Sequence, residues 1–234
     1  MARCKENSNT FVKVPLELDV SGDLTIKLVE KMKVACDRAE LLGSDAIFTI
    51  NLIGCTDEEY RKSVTSTADV HLINKWEKCL RRIENLDSIV IAATDYNIGG
   101  LGLAIMLIAD YRFIATDRYA TLSDEVGNVM PGMLLFRLVQ QVGIARVRKL
   151  VLFGKQISST ELKSIGLIDE VTPRLTESVE LFLKEISPLK NHGVATRRRL
   201  LLEATSTCFE DALGTHLAAC DLSNRAIDNF KSKS

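Results

Sequence analysis

Residues 89–115, IVIAATDYNIGGLGLAIMLIADYRFIA, constrain the fold more than any other stretch of this chain. The ends, IVIAAT and YRFIA, are short apolar runs that predict buried strands. Between them GLAIMLIA is apolar on every side, which predicts a helix buried all round rather than one with a wet face. Gly99, Gly100 and Gly102 interrupt this apolar run just where the helix begins. Glycine there lets the backbone approach its surroundings closely, and the first N–H groups of a helix have no intrahelical acceptor. The turn is therefore expected to present backbone N–H groups, at the positive end of the helix, to a ligand.

The remaining chain extends this strand and helix alternation. TFVKVPLELDV alternates as a strand, with Pro15 placing it at a sheet edge. In SGDLTIKLVEKMKVACDRAELLG, Leu24, Leu28, Met32, Ala35, Ala39 and Leu42 recur at helical spacing, with Ser21 or Asp23 as the cap and Gly43 as the stop. DAIFTINLIG reads as a short buried strand. CTDEEYRKSVTSTAD reads as a polar loop, with one helical turn around residues 57–62. Val70, Ile73, Trp76, Leu80, Ile83 and Leu86 define an amphipathic helix. From residue 132 the pattern is helix, Gly143, helix, Gly154, helix, Gly166 and a short strand. Mostly helical sequence follows, with a turn at Pro188 and Gly193. Short apolar strands alternating with helices predict an α/β fold with largely parallel strands.

With 234 residues, 46% of them apolar and 26% charged, one globular domain with a terminal extension is expected. A formal net charge of −1 argues against wholesale binding to nucleic acid or an anionic membrane. The six cysteines, Cys4, Cys36, Cys55, Cys79, Cys208 and Cys220, are scattered without a zinc-site spacing and read as reduced thiols. The opening MARCKENSNTF lacks the apolar core of a signal peptide, so a cytoplasmic protein is expected.

Three segments, in order, resemble the enoyl-CoA hydratase/isomerase (crotonase) superfamily. They are the strand, glycine turn and buried helix ending in ADYRFIA, then YATLSDEVGNVMPGM, then VRKLVLFGKQISSTELKSIGLIDEVTP. The third is the most diagnostic, because it is a long ordered match rather than a lone glycine motif. NKWEKCLRRIENLD and MPGM carry a weaker resemblance to the accessory crotonase of the dihydroxyphenylglycine polyketide pathway. The resemblance implies a crotonase-like core of ββα repeats over residues 1–173, followed by a C-terminal helical region over 174–234.

The resemblance also implies an acyl thioester, on coenzyme A or a phosphopantetheine carrier, whose carbonyl oxygen is held by two backbone N–H groups. No separate cofactor or metal is expected. One donor maps to Leu101, with Gly100 before it, and the other to Ala68 in STAD, where this chain lacks the family's glycine. Two glutamates place water across the double bond in family hydratases. Here Ala104 stands at the first of these positions, and Asp124 or Glu125 at the second. One carboxylate still permits double-bond isomerisation or dehydration, and decarboxylation needs the oxyanion hole alone. A non-catalytic partner of a polyketide-type synthase is the reading from a different class. The family resemblance further implies a homotrimer or hexamer, with the C-terminal helices completing the pocket. His71, His192 and His216 read as surface or packing residues. Arg197, Arg198 and Arg199 read as a solvated helix face, or as a contact to coenzyme A phosphate.

Overall fold

The computed structural model describes residues 11–54, 69–122, 132–189 and 193–231. The first half comprises β1 (Val12–Asp19), α1 (Ile26–Leu42), β2 (Ala46–Ile53), α2 (Val70–Glu84), β3 (Ile89–Thr94), α3 (Gly100–Ile108), β4 (Tyr111–Ala115) and β5 (Tyr119–Ala120). The second comprises α4 (Leu134–Val142), α5 (Ile144–Leu152), β6 (Ile157–Ser158), α6 (Ser159–Ser164), β7 (Glu170–Thr172), α7 (Leu175–Ile186), α8 (Val194–Glu203) and α9 (Phe209–Lys231).

A parallel sheet in the order β1-β2-β3-β4-β7 forms the centre. β1 is an edge strand, which is why Pro15, without an N–H to donate, is tolerated there. The short strands β5 and β6 pair antiparallel in a separate sheet.

Strand alternation sorts side chains onto two faces. Val14, Leu16 and Leu18 of β1, Phe48, Ile50 and Leu52 of β2, and Val90 and Ala92 of β3 meet α1, α2 and α3 in the larger core. On the other face Ile47, Ile91, Ala93 and Phe113 meet Leu183 and Ile186 of α7. Phe182 of α7 stacks on Tyr111 with ring centroids 4.0 Å apart. Burying each such aliphatic or aromatic side chain contributes roughly 1.5–3 kcal/mol. Helix α3 is buried along its whole length, as its uniform apolarity predicts.

Two local expectations are corrected. The cap of α1 is Thr25, whose Oγ1 accepts the Leu28 N–H at 3.2 Å, and neither Ser21 nor Asp23. Ser21 is engaged instead by the Asp19 carboxylate at the end of β1, which takes its N–H at 3.0 Å. Val70, placed in the apolar stripe of α2, is 77% exposed at the first helical position, while Trp76, Leu80 and Ile83 face the core. The stripe begins a turn later because the Asp69 side chain caps the helix, taking the Leu72 N–H at 2.8 Å. The helical turn expected at 57–62 lies outside the described residues. Among the described residues, no helix is long and apolar enough to cross a membrane.

Candidate active site

The glycine turn lies where β3 hands over to α3. Gly99 caps α3 in extended geometry with no side-chain hydrogen bond, and the first helical bond runs from the Leu103 N–H to the Gly99 carbonyl at 2.8 Å. The N–H groups of Gly100, Leu101 and Gly102 therefore have no acceptor in their own helix, and no described residue takes them. All three residues are buried. Buried N–H groups are costly to leave unpaired, so an oxygen acceptor at this helix end would be favoured.

Close packing fixes the turn from two sides. A Cβ on Gly102 would come within 3.2 Å of Ile98 Cγ2. One on Gly54, at the end of β2, would lie 2.7 Å from both the Asn97 carbonyl oxygen and Tyr96 Cβ. At Gly54 the close atom is backbone, so only glycine lets the two segments meet there.

Polar contacts hold the same turn. Thr94 Oγ1 donates to the Leu52 carbonyl at 3.0 Å and accepts the Tyr96 N–H at 3.1 Å. Asn97 Oδ1 accepts the Tyr119 N–H at 2.9 Å. Ile98 adds a backbone bridge to β5, donating to the Tyr119 carbonyl at 3.0 Å and accepting the Thr121 N–H at 3.1 Å. Outside, Arg118 donates to the Asp95 carbonyl at 2.8 Å and to its carboxylate at 3.0 Å. In the sequence Thr94 reads only as the end of the strand IVIAAT, and Asn97 carries no reading of its own. The signal that marks them is a short polar stretch, residues 94–97, set between an apolar strand and an apolar helix.

Gly100 and Leu101 thus stand at the turn as expected, whereas Ala68, Asp124 and Glu125 lie outside the described residues. Ala104 follows Leu101 by three positions on the same helix face and is only 2% exposed. No acid or base exists at this point of α3. Beyond the acid-bearing segment, Glu77 Oε1 accepts the Met133 N–H at 2.9 Å, and Glu77 and Glu84 both pair with Arg137, at 2.7 and 2.8 Å.

The basic cluster on α8 divides. Arg197 and Arg199 are exposed, but Arg198 is buried and bonded to Asp110 and to the carbonyls of Ile83, Glu84 and Leu86. Neither a solvated face nor a phosphate contact describes it, because its guanidinium is engaged within the fold by Asp110 and three backbone carbonyls. His71 and His216 are exposed, and His192 lies outside the described residues.

Residues 41–223 match the enoyl-CoA hydratase/isomerase family, well over half of the chain. The chain belongs to the enoyl-CoA hydratase/isomerase family. Its similarity extends to a protein of Amycolatopsis orientalis named enoyl-CoA-hydratase, at 34% identity over 206 residues, covering 88% of this chain and 93% of that protein. A second protein of the same organism, named (3,5-dihydroxyphenyl)acetyl-CoA 1,2-dioxygenase, is 28% identical over 122 residues, 51% of this chain and 27% of its own. The crystal structure of an enoyl-CoA hydratase/isomerase from Marinobacter aquaeolei superposes with a TM-score of 0.74 at 14% identity, covering 94% of both chains. This likeness shows that the parallel sheet, buried helix and C-terminal helices form a crotonase fold.

Proposed function

We propose that this family enzyme acts on an acyl thioester, carried by coenzyme A or a protein-bound phosphopantetheine, by stabilising its enolate in an oxyanion hole. The observation that carries the reading is the buried start of α3, where Gly100, Leu101 and Gly102 present N–H groups without a described acceptor. A thioester carbonyl that gains negative charge is the oxygen such donors favour most, each donor contributing about 3 kcal/mol in the transition state. Leu101 supplies one N–H and Ala68 the other.

Ala104 narrows the reaction. Where family hydratases keep a first carboxylate, this helix carries a methyl group, so water addition by two acids is disfavoured. One carboxylate, Asp124 or Glu125, does the proton work. It removes a proton beside the thioester, and the C–H electron pair moves into the carbonyl to form the enolate. Returning the proton to the γ carbon completes isomerisation. Giving it to a β-hydroxyl, which departs as water, completes dehydration. The likeness to Amycolatopsis proteins, one of them named for an aryl-acetyl-CoA reaction, supports a specialised biosynthetic pathway. The same Ala104 favours a second reading, a thioester-binding partner that assists a synthase without turnover.

We also infer self-association through the C-terminal helices. Phe209 and Leu217 of α9 are 77% and 60% exposed, an apolar surface that a second copy would cover.

Substitution tests the catalytic reading. Asp124→Asn and Glu125→Gln remove each candidate base in turn, and at least one is expected to lower turnover by roughly 100-fold or more. Full turnover in both would contradict it.

A further inference from the structure

We propose that Asn97, with Thr94, is a positioning residue that aims the N–H groups of residues 100–102 at the thioester carbonyl and ties them to the strand leading into the acid-bearing segment. This rests on the thioester reading above. Thr94 is 0% and Asn97 4% exposed, although Asp95 between them is exposed. Burying a hydroxyl and an amide costs free energy unless each is hydrogen-bonded, and a turn that merely joined β3 to α3 would need neither.

Their bonds run in two directions. Thr94 closes the turn onto β2, through the Leu52 carbonyl at 3.0 Å and the Tyr96 N–H at 3.1 Å. Asn97 closes it onto β5, through the Tyr119 N–H at 2.9 Å, and the neighbouring Ile98 doubles that link. Only Ile98 and Gly99 separate Asn97 from the first N–H donor at Gly100, so rotation of this short segment moves the donors directly. On the other side of the link, β5 ends at Ala120 and the chain runs through Thr121 and Leu122 toward Asp124 and Glu125. One joint therefore ties the segment that carries the N–H groups of residues 100–102 to β5. Displacement of reacting groups by about 1 Å can lower a rate by about 100-fold.

The test is the carbonyl stretch of bound butyryl-CoA, carrying carbon-13 at the thioester carbonyl, read by infrared difference spectroscopy together with exchange of its α protons. In the native protein the stretch is expected to move to lower frequency on binding. In Asn97→Leu and Thr94→Val it is expected to return toward the free value, with exchange slowed by roughly 10- to 100-fold and affinity changed by less than about threefold. Circular dichroism melts establish that each variant folds. A shift and exchange rate unchanged in both variants would overturn the positioning role and leave the thioester reading standing. Bound ligand with no shift in the native protein would overturn both. Should Asn97→Leu not fold, Thr94→Val decides the matter in the same way.

Discussion

Arg198 Nε lies 2.7 Å from both carboxylate oxygens of Asp110, 88 residues earlier in the chain. Its remaining donors reach the Glu84 and Leu86 carbonyls, each at 2.6 Å, and the Ile83 carbonyl at 3.2 Å. One buried guanidinium, 7% exposed, thereby fastens α8 to the carbonyl end of α2 and to the β3–β4 crossing, where positive charge is favoured. Arg198→Met is expected to lower unfolding free energy by about 3 kcal/mol, since it removes the cation paired with the Asp110 carboxylate and the donors to three carbonyls. Arg198→Lys should recover little, because a single ammonium cannot reproduce the fork. Urea unfolding measures both, and a loss below about 1 kcal/mol in Arg198→Met would show that the pairing contributes little.

Gly54→Ala brings a methyl group to 2.7 Å from the Asn97 carbonyl oxygen, a backbone atom that cannot swing aside. Overpacking of this kind costs about 1–3 kcal/mol. Because the displaced turn also carries the proposed oxyanion donors, turnover is expected to fall further than stability alone requires. Parallel thermal melts and kcat measurements separate the two effects.

The sequence made the sheet and α3 legible because their signals are local. An apolar run with no polar face can only be buried, and Pro15 could only sit on an edge strand. Partnerships across the chain left no such trace. Arg198 reads as one of three adjacent arginines until Asp110 is seen beside it, and Glu77 reads as helix surface until it meets Arg137 and the Met133 N–H. The α1 cap was misplaced for the same reason, since the Asp19 carboxylate had already engaged Ser21. At the turn, the glycines mark the start of α3 and the family resemblance assigns Leu101 a donor role, while Thr94 and Asn97 gain meaning only from strands that lie apart in sequence.

Asp19 links stability to pH. Hydrogen bonds from the Ser21 hydroxyl and N–H hold its carboxyl below the ordinary value of 3.8. A carboxyl that binds its proton less readily when folded adds stability above 3.8 and loses it as pH falls through its lower folded value. Asp19→Ala should therefore melt below the native protein at neutral pH, with the gap closing in strong acid. Melting curves from neutral pH down to about pH 2 check the sign.

Thiol chemistry should divide the cysteines. Burial pushes the Cys36 thiol up to about 12, and Cys79 is shifted upward for the same reason. At pH 8 only about one Cys36 in 10,000 is thiolate, whereas Cys208 and Cys220 are exposed. Peptide mapping after brief alkylation of the native protein should find Cys208 and Cys220 modified and Cys36 and Cys79 spared until denaturant is added.

Whether this protein forms a thioester enolate is best measured by mass spectrometry in deuterated water, with a small panel of saturated, 3-hydroxyacyl and enoyl thioesters. The expected result is deuterium at the α carbon of at least one ligand, with label at the γ carbon marking isomerisation and loss of one water marking dehydration. Thioesters that bind measurably yet gain no deuterium and lose no water would contradict enolate chemistry and leave a binding partner in its place.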